Sequence, residues 1–190
     1  METKDFIIGV DMDDILENLL DAWVEWLNEK YNLSVNSNEI DEWETIKFFP
    51  SLTPQQVYAP LYDDEFWKTV QPKKGAQEYL KKLTDEGFTI FIVTCSHYAS
   101  IKAKVENCLL KYFPYLDWRQ IITLRYKQML NLNVLIDDYQ NNLIDAPYKG
   151  ILLDRPYNRF FKEDGVNIKR VYNWDEIYNE IHKLYNQIGD

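Results

Sequence analysis

The stretch Asp5-Phe6-Ile7-Ile8-Gly9-Val10-Asp11-Met12-Asp13-Asp14 decides the fold. A short, nearly continuous apolar run ends abruptly in carboxylates. Such a run, rich in β-branched side chains, predicts a strand buried on both faces. The pattern recurs along the chain. Residues 88–93 form a second run that ends at Thr94-Cys95-Ser96, and residues 133–136 a further one that ends at Asp137-Asp138. Strands are also expected at 120–124, 150–153 and 169–172. Between them lie helical periods. Ile15, Leu16, Leu19, Leu20, Trp23, Val24 and Leu27 recur at helical spacing up to Tyr31. Ala76, Tyr79, Leu80 and Leu83 mark a helix that stops at Gly87. Ile101, Val105, Cys108 and Leu109 share one face of a helix over about 99–112, and a last helix runs from about Trp174 to Gln187. Strands alternating with helices predict an α/β fold, a three-layer Rossmann-like parallel sheet covered on both faces.

Residues 32–72 lose this regularity. They carry Trp43, Phe48, Phe49, Phe66 and Trp67, prolines 50, 54, 60 and 72, and a helix start at Thr53-Pro54. Together with the preceding helix they read as a small helical cap, residues 15–72, inserted after strand one. The α/β core is then 1–14 and 73–190.

Composition narrows the function. At 190 residues with a net charge of −10, the chain is an improbable partner for nucleic-acid polymers or anionic membranes. The longest apolar runs are too short to span a bilayer, and the first residues lack the basic start and long apolar stretch of a secretory leader. Two cysteines, Cys95 and Cys108, form no disulfide framework, so a cytoplasmic protein is expected.

In parallel α/β sheets, ligands bind beyond the carboxyl ends of the strands. Asp11, Asp13, Thr94, Ser96, Asp137 and Asp138 all lie just past predicted strand ends, so they converge on one edge. Asp11 and Asp13, two residues apart, point the same way and make a hard-oxygen site suited to magnesium. A carboxylate is also a competent nucleophile toward phosphorus. An isolated Asp-x-Asp equally suits a surface turn, and an isolated Asp-Asp a helix cap. Four carboxylates at one edge, however, are costly without a cation, and a divalent metal is the cheapest physical resolution. Thr94 and Ser96 offer hydroxyls to phosphate oxygens or cap the next helix. Lys127 and Arg125 precede the Asp pair and offer positive charge, or they are simply solvated. Cys95 has no histidine-plus-acid partner pattern. His97 reads as an incidental neighbour, and His182 as structural.

This ordered series resembles the haloacid-dehalogenase-like phosphatase superfamily. More narrowly, it is similar to the 5′(3′)-deoxyribonucleotidase family and its bacterial and phage members. Val10-Asp11-Met12-Asp13 with Ile15-Leu16 resembles "DMDGVL". Leu124-Arg125-Tyr126-Lys127 through Leu135-Ile136-Asp137-Asp138 resembles "TR-x-K … LIDD", and Ile151 through Asn158 resembles "LFDQPYN". The likeness is weak over 32–66. Asp14 replaces the usual glycine, and Tyr126 stands where an aspartate is common.

The resemblance implies a magnesium-dependent phosphomonoesterase acting on (deoxy)nucleoside 5′-monophosphates through an aspartyl-phosphate intermediate. It makes Asp11 nucleophile and metal ligand, and Asp13 general acid/base with its carbonyl on the metal. Thr94 (or Cys95) and Ser96 hold phosphate, Lys127 stabilises developing charge, and Arg125 lines the substrate pocket. Asp138 is a direct magnesium ligand, with Asp137 direct or one step removed. Cap aromatics, Phe49 and Trp67 among them, either stack on the nucleobase or form the cap's own core; stacking is worth roughly 1–3 kcal/mol per base. The rival readings are the same chemistry on a sugar phosphate or modified nucleotide, and a nucleotide sensor that does not hydrolyse. The small-molecule phosphate ester is the expected partner, and the chain is expected to be a monomer or a homodimer.

Overall fold

The computed structural model describes residues 1–189. Six strands form one sheet: β1 (Ile7–Val10), β2 (Thr89–Thr94), β3 (Ile121–Thr123), β4 (Val134–Asp137), β5 (Lys149–Leu153) and β6 (Ile168–Val171). Their order is β3-β2-β1-β4-β5-β6, and every pairing is parallel. The chain winds outward from β1 to β3, then returns to lay β4 against the other side of β1. That reversal makes the β1–β4 junction the switch point, where a crevice opens beyond the strand ends.

Alternation along the strands builds two cores. Ile8, Val10, Ile90, Ile92, Val134, Ile136, Ile151 and Leu153 enter the larger cluster, while Val93, Leu135 and Leu152 enter the smaller one on the opposite face. Gly9 lets the smaller core close. A Cβ there would sit 2.6 Å from Leu132 Cδ1 and 2.9 Å from Leu135 Cδ1.

The helices are α1 (Leu19–Tyr31), α2 (Pro54–Tyr58), α3 (Asp64–Thr69), α4 (Ala76–Asp85), α5 (Ile101–Lys104), α6 (Leu110–Tyr112) and α7 (Trp174–Gly189). A π-helical segment, Val105–Leu109, joins α5 to α6. All six strands and the helical region between β1 and α4 fall where the pattern predicts them. The first helix does not start at Ile15 but at Leu19. Asp14 adopts a left-handed backbone, φ 54°, which no helix tolerates. Glu17 instead bridges Asp13 on one side and Pro72 on the other.

The two ends of the segment between β1 and α4 are tied together. Asn18 N donates to Gln71 O at 2.9 Å, and Lys73 N donates to Leu16 O at 2.8 Å. Trp174 of α7 donates its indole N–H to Ile15 O at 2.8 Å, anchoring the turn after β1 to the body of the fold.

Candidate active site

Adjacent strands bring the carboxylates together. Asp11 continues β1 and donates its backbone N–H to Ile136 O at 2.9 Å, which sets it directly beside the end of β4. One oxygen from each of Asp11, Asp137 and Asp138 lies within 4.8 Å of the others. All three residues are buried. Lys127, itself 1% exposed, reaches into this cluster with Nζ 2.7 Å from Asp11 Oδ1 and 2.7 Å from Asp137 Oδ2.

The three carboxylates differ in what they have left to offer. Asp137 is the most heavily bonded: Oδ1 accepts from Tyr139 N at 2.8 Å, and Oδ2 accepts from Lys127 and from Asn142 Nδ2 at 3.0 Å. Asp138 gives Oδ2 to the Tyr157 hydroxyl, while its Oδ1 is buried without a partner. A buried orphan carboxylate oxygen is costly unless a cation meets it. Burial lifts Asp11 to about 7, with Lys127 pulling it down and Asp137 and Asp13 pushing it up. Asp138 lies well above the ordinary carboxylate range, first through burial and then through the charges of Asp137 and Asp11. Burial alone would lower Lys127, but Asp11 and Asp137 hold it above its usual value, so it stays charged. One lysine thus stands against three packed carboxylates, and this donor set fits a divalent metal.

A second cation completes the site. Lys104 is 1% exposed, and its Nζ lies 2.6 Å from Asp13 Oδ1. It also donates to Thr94 Oγ1 at 2.7 Å and Ser96 Oγ at 3.0 Å. With Asp13 Oδ2 also at 2.7 Å, the ammonium ties the carboxylate after β1 to the hydroxyls after β2. Glu17, fully buried, lies against Asp13 and is pushed well above its ordinary range, chiefly by burial and then by the Asp13 charge. Asp14 accepts from Leu20 N at 3.3 Å and pairs with Arg155 at 3.0 Å. That guanidinium compensates the charge of the aspartate.

Beyond these groups opens a cavity of about 270 Å³ lined by Asp13, Asp14 and Asp138 at its floor. Its apolar wall comes from Leu19, Leu20, Trp23, Trp43, Tyr58, Leu61 and Tyr157. Trp43 stacks on Tyr139, ring centroids 4.0 Å apart, and meets Tyr157 edge-on at 5.5 Å.

The sequence model of the family described as "5′ nucleotidase, deoxy (Pyrimidine), cytosolic type C protein" matches residues 5–187. The chain belongs to this family. As a member of this nucleotidase family it is 29% identical over 177 residues to the 5′(3′)-deoxyribonucleotidase of Bacillus subtilis strain 168, covering 92% of this chain and 98% of the relative. The 5′(3′)-deoxyribonucleotidase of Bacillus phage SPbeta matches to the same extent, 29% over 177 residues with the same coverage of both chains. Among solved structures, a haloacid-dehalogenase family hydrolase of Deinococcus radiodurans with bound phosphate and sodium superimposes with a TM-score of 0.63 at 15% identity, over 97% of both chains. A haloacid-dehalogenase-like hydrolase of Xanthomonas campestris gives 0.60 at 14%, again over 97% of both. The fold is that of the haloacid-dehalogenase hydrolases.

Against this family background, the structure sorts the residues expected from sequence. Asp11, Asp13, Thr94, Ser96, Lys127, Asp137 and Asp138 converge at one edge. Cys95 is exposed beside them. Arg125 is also exposed, with its guanidinium over the Tyr126 ring at 5.6 Å, and does not line the cavity. Phe49 and Trp67 are 1% and 2% exposed and belong to the main core, not to the cavity wall. Trp67 donates its indole N–H to Leu61 O and stacks near the Lys104 ammonium. The wall aromatics are Trp23, Trp43, Tyr58 and Tyr157 instead.

Lys104 and Glu17 were not singled out by the motif reading. A signal for Lys104 exists. It falls between Ile101, Val105 and Cys108, on the apolar stripe of its helix, where a solvated lysine has no place. Glu17 likewise interrupts an apolar run.

Proposed function

We propose that this chain hydrolyses (deoxy)nucleoside monophosphates to nucleoside and inorganic phosphate, with magnesium as its metal. The observation that carries this is the three-carboxylate cluster with its lysine, set beside an Asp13 held by Lys104 and opening onto an aromatic-walled cavity. Family membership supports nucleotide as the substrate class. The relatives named deoxyribonucleotidases support the deoxyribose form.

Asp11, Asp138 and the backbone of Asp13 would hold the metal, while Asp137, with Oδ2 bonded to Lys127 and Asn142, orients Lys127. When bound, magnesium neutralises phosphate charge and keeps the neighbouring carboxylates ionised. The chain's own residues do the rest. Lys127 engages one oxygen of Asp11, which leaves the other to attack phosphorus. As the Asp11–phosphorus bond forms, the bond from phosphorus to the nucleoside oxygen breaks, and Asp13, entering this step in its protonated form, gives that oxygen its proton. Asp13 then takes a proton from water as the water attacks phosphorus, which releases phosphate and restores Asp11. The hydroxyls of Thr94 and Ser96, gathered around Lys104, receive the phosphate oxygens. We further propose that residues 15–72 act as the cap over a core of 1–14 and 73–190, with Trp43, Trp23 and Tyr58 against the base.

The test is phosphate release from ribo- and deoxyribonucleoside 5′- and 3′-monophosphates and from sugar phosphates, with magnesium and with EDTA. Magnesium-dependent release concentrated on deoxynucleotides is the expected result. Release from sugar phosphates alone would overturn the substrate, and release undiminished by EDTA would overturn the metal.

A further inference from the structure

The loop after β5, Asp154-Arg155-Pro156-Tyr157-Asn158, takes no part in the chemistry above, yet it grips the site from one side. Asn158, 1% exposed, donates its amide to Asp138 O and to Leu153 O, both at 2.8 Å. Its own carbonyl oxygen accepts from Arg170 at 2.6 Å, and Arg170 also binds Asp154 at 3.0 Å and Phe161 O at 2.7 Å. The loop is therefore fixed to the end of β6 and cannot drift. From this fixed base Arg155 reaches Asp14, and the Tyr157 hydroxyl reaches Asp138 Oδ2.

The Tyr157 contact is selective. A phenol has one proton to donate. Spending it on Oδ2 sets the plane of the Asp138 carboxylate and leaves Oδ1 buried and unpartnered, in the group that also contains Asp11 and Asp137. The Tyr157 ring also meets Trp43 edge-to-face, with centroids 5.5 Å apart.

We propose that Tyr157 is a positioning residue that presents one oxygen of Asp138 to the metal. The inference rests on Asp138 being a metal ligand. Outer partners of metal ligands typically contribute 10–100-fold in metal affinity. An aromatic ring serves this purpose better than a longer flexible donor, because only two torsions have to be fixed and both are packed.

The experiment is magnesium titration by calorimetry on the substrate-free protein, with melting curves in EDTA and in saturating magnesium. The variants are Tyr157→Phe, which deletes only the hydroxyl, and Asp138→Asn. The expected result is metal binding about 10–100-fold weaker in Tyr157→Phe, with a smaller metal-induced rise in melting temperature at matched magnesium. A merely structural hydroxyl would instead lower both melting curves equally and leave the affinity alone. Loss of metal binding in Asp138→Asn with wild-type affinity in Tyr157→Phe would overturn the positioning role. Wild-type metal binding in Asp138→Asn would overturn the ligand assignment itself, and the positioning role with it.

Discussion

Replacing Lys104 by methionine probes the part of the site that is least visible in any motif. The change keeps length and apolar volume but removes an ammonium that is 1% exposed and meets Asp13, Thr94 and Ser96. Removing one partner of a buried ion pair costs about 3–5 kcal/mol, because the remaining charge stays buried without compensation. Here the remaining group is Asp13, whose side chain is 28% exposed and has the carboxyl of Glu17 against it, so the lower end of that range, about 3 kcal/mol, applies. For a chain of this size each kcal/mol lowers the melting temperature by about 2–4 °C. The expected drop is therefore about 6–12 °C. Asp13 also loses its fixed orientation, and general acid–base catalysis is worth about 10²–10⁴-fold, so kcat should fall by at least about 10²-fold. Thermal melts and denaturant titration read the first effect, and phosphate release at saturating substrate and magnesium reads the second. A melting temperature within about 2 °C of wild type together with an unchanged kcat would refute the argument.

Other outcomes follow from the same geometry. Gly9→Ala should destabilise by about 1–3 kcal/mol in urea titration, since its Cβ would strike the buried ends of Leu132 and Leu135. Trp43→Ala should raise KM for the nucleotide by about 5–150-fold, equivalent to one lost stack, with little change in melting temperature. Phe49→Ala should instead lower stability by about 3–5 kcal/mol, because that ring is core. In metal-free protein the raised Asp11, Asp138 and Glu17 keep protons that the unfolded chain gives up above about pH 4. The folded state thus binds more protons, and their contribution to stability falls as pH rises from there through about 7 for Asp11. Metal must displace those protons, so the magnesium-induced rise in melting temperature should grow between about pH 5 and 8. A rise that shrinks with pH would contradict the assigned protonation.

The sheet was legible because each buried parallel strand is a compact apolar run with polar residues at its carboxyl end. Strand ends also placed the acidic and hydroxyl groups, since neighbouring parallel strands finish at the same edge. What pattern alone missed has local causes. Ile15 and Leu16 carry helical spacing, but the left-handed Asp14 and the Glu17 bridges hold them in a turn. Lys104 stands on the apolar stripe of its helix, but spacing does not say which acceptors its ammonium meets, since Asp13, Thr94 and Ser96 come from the ends of two strands. Phe49 and Trp67 have the chemistry for stacking on a base, but which aromatic faces a cavity depends on how short, irregular turns pack, and spacing does not encode that. Arg125 follows a strand as its motif suggests, yet it turns outward onto Tyr126.

The central claim is that Asp11 attacks phosphorus. The most direct test is to quench turnover in acid, using a deoxynucleoside monophosphate labelled in its phosphate, and to count label on the protein. Base-labile label is expected on wild-type protein and none on Asp11→Asn, which should also release no phosphate. Phosphate release at the wild-type rate from Asp11→Asn, or label that survives this substitution, would contradict it.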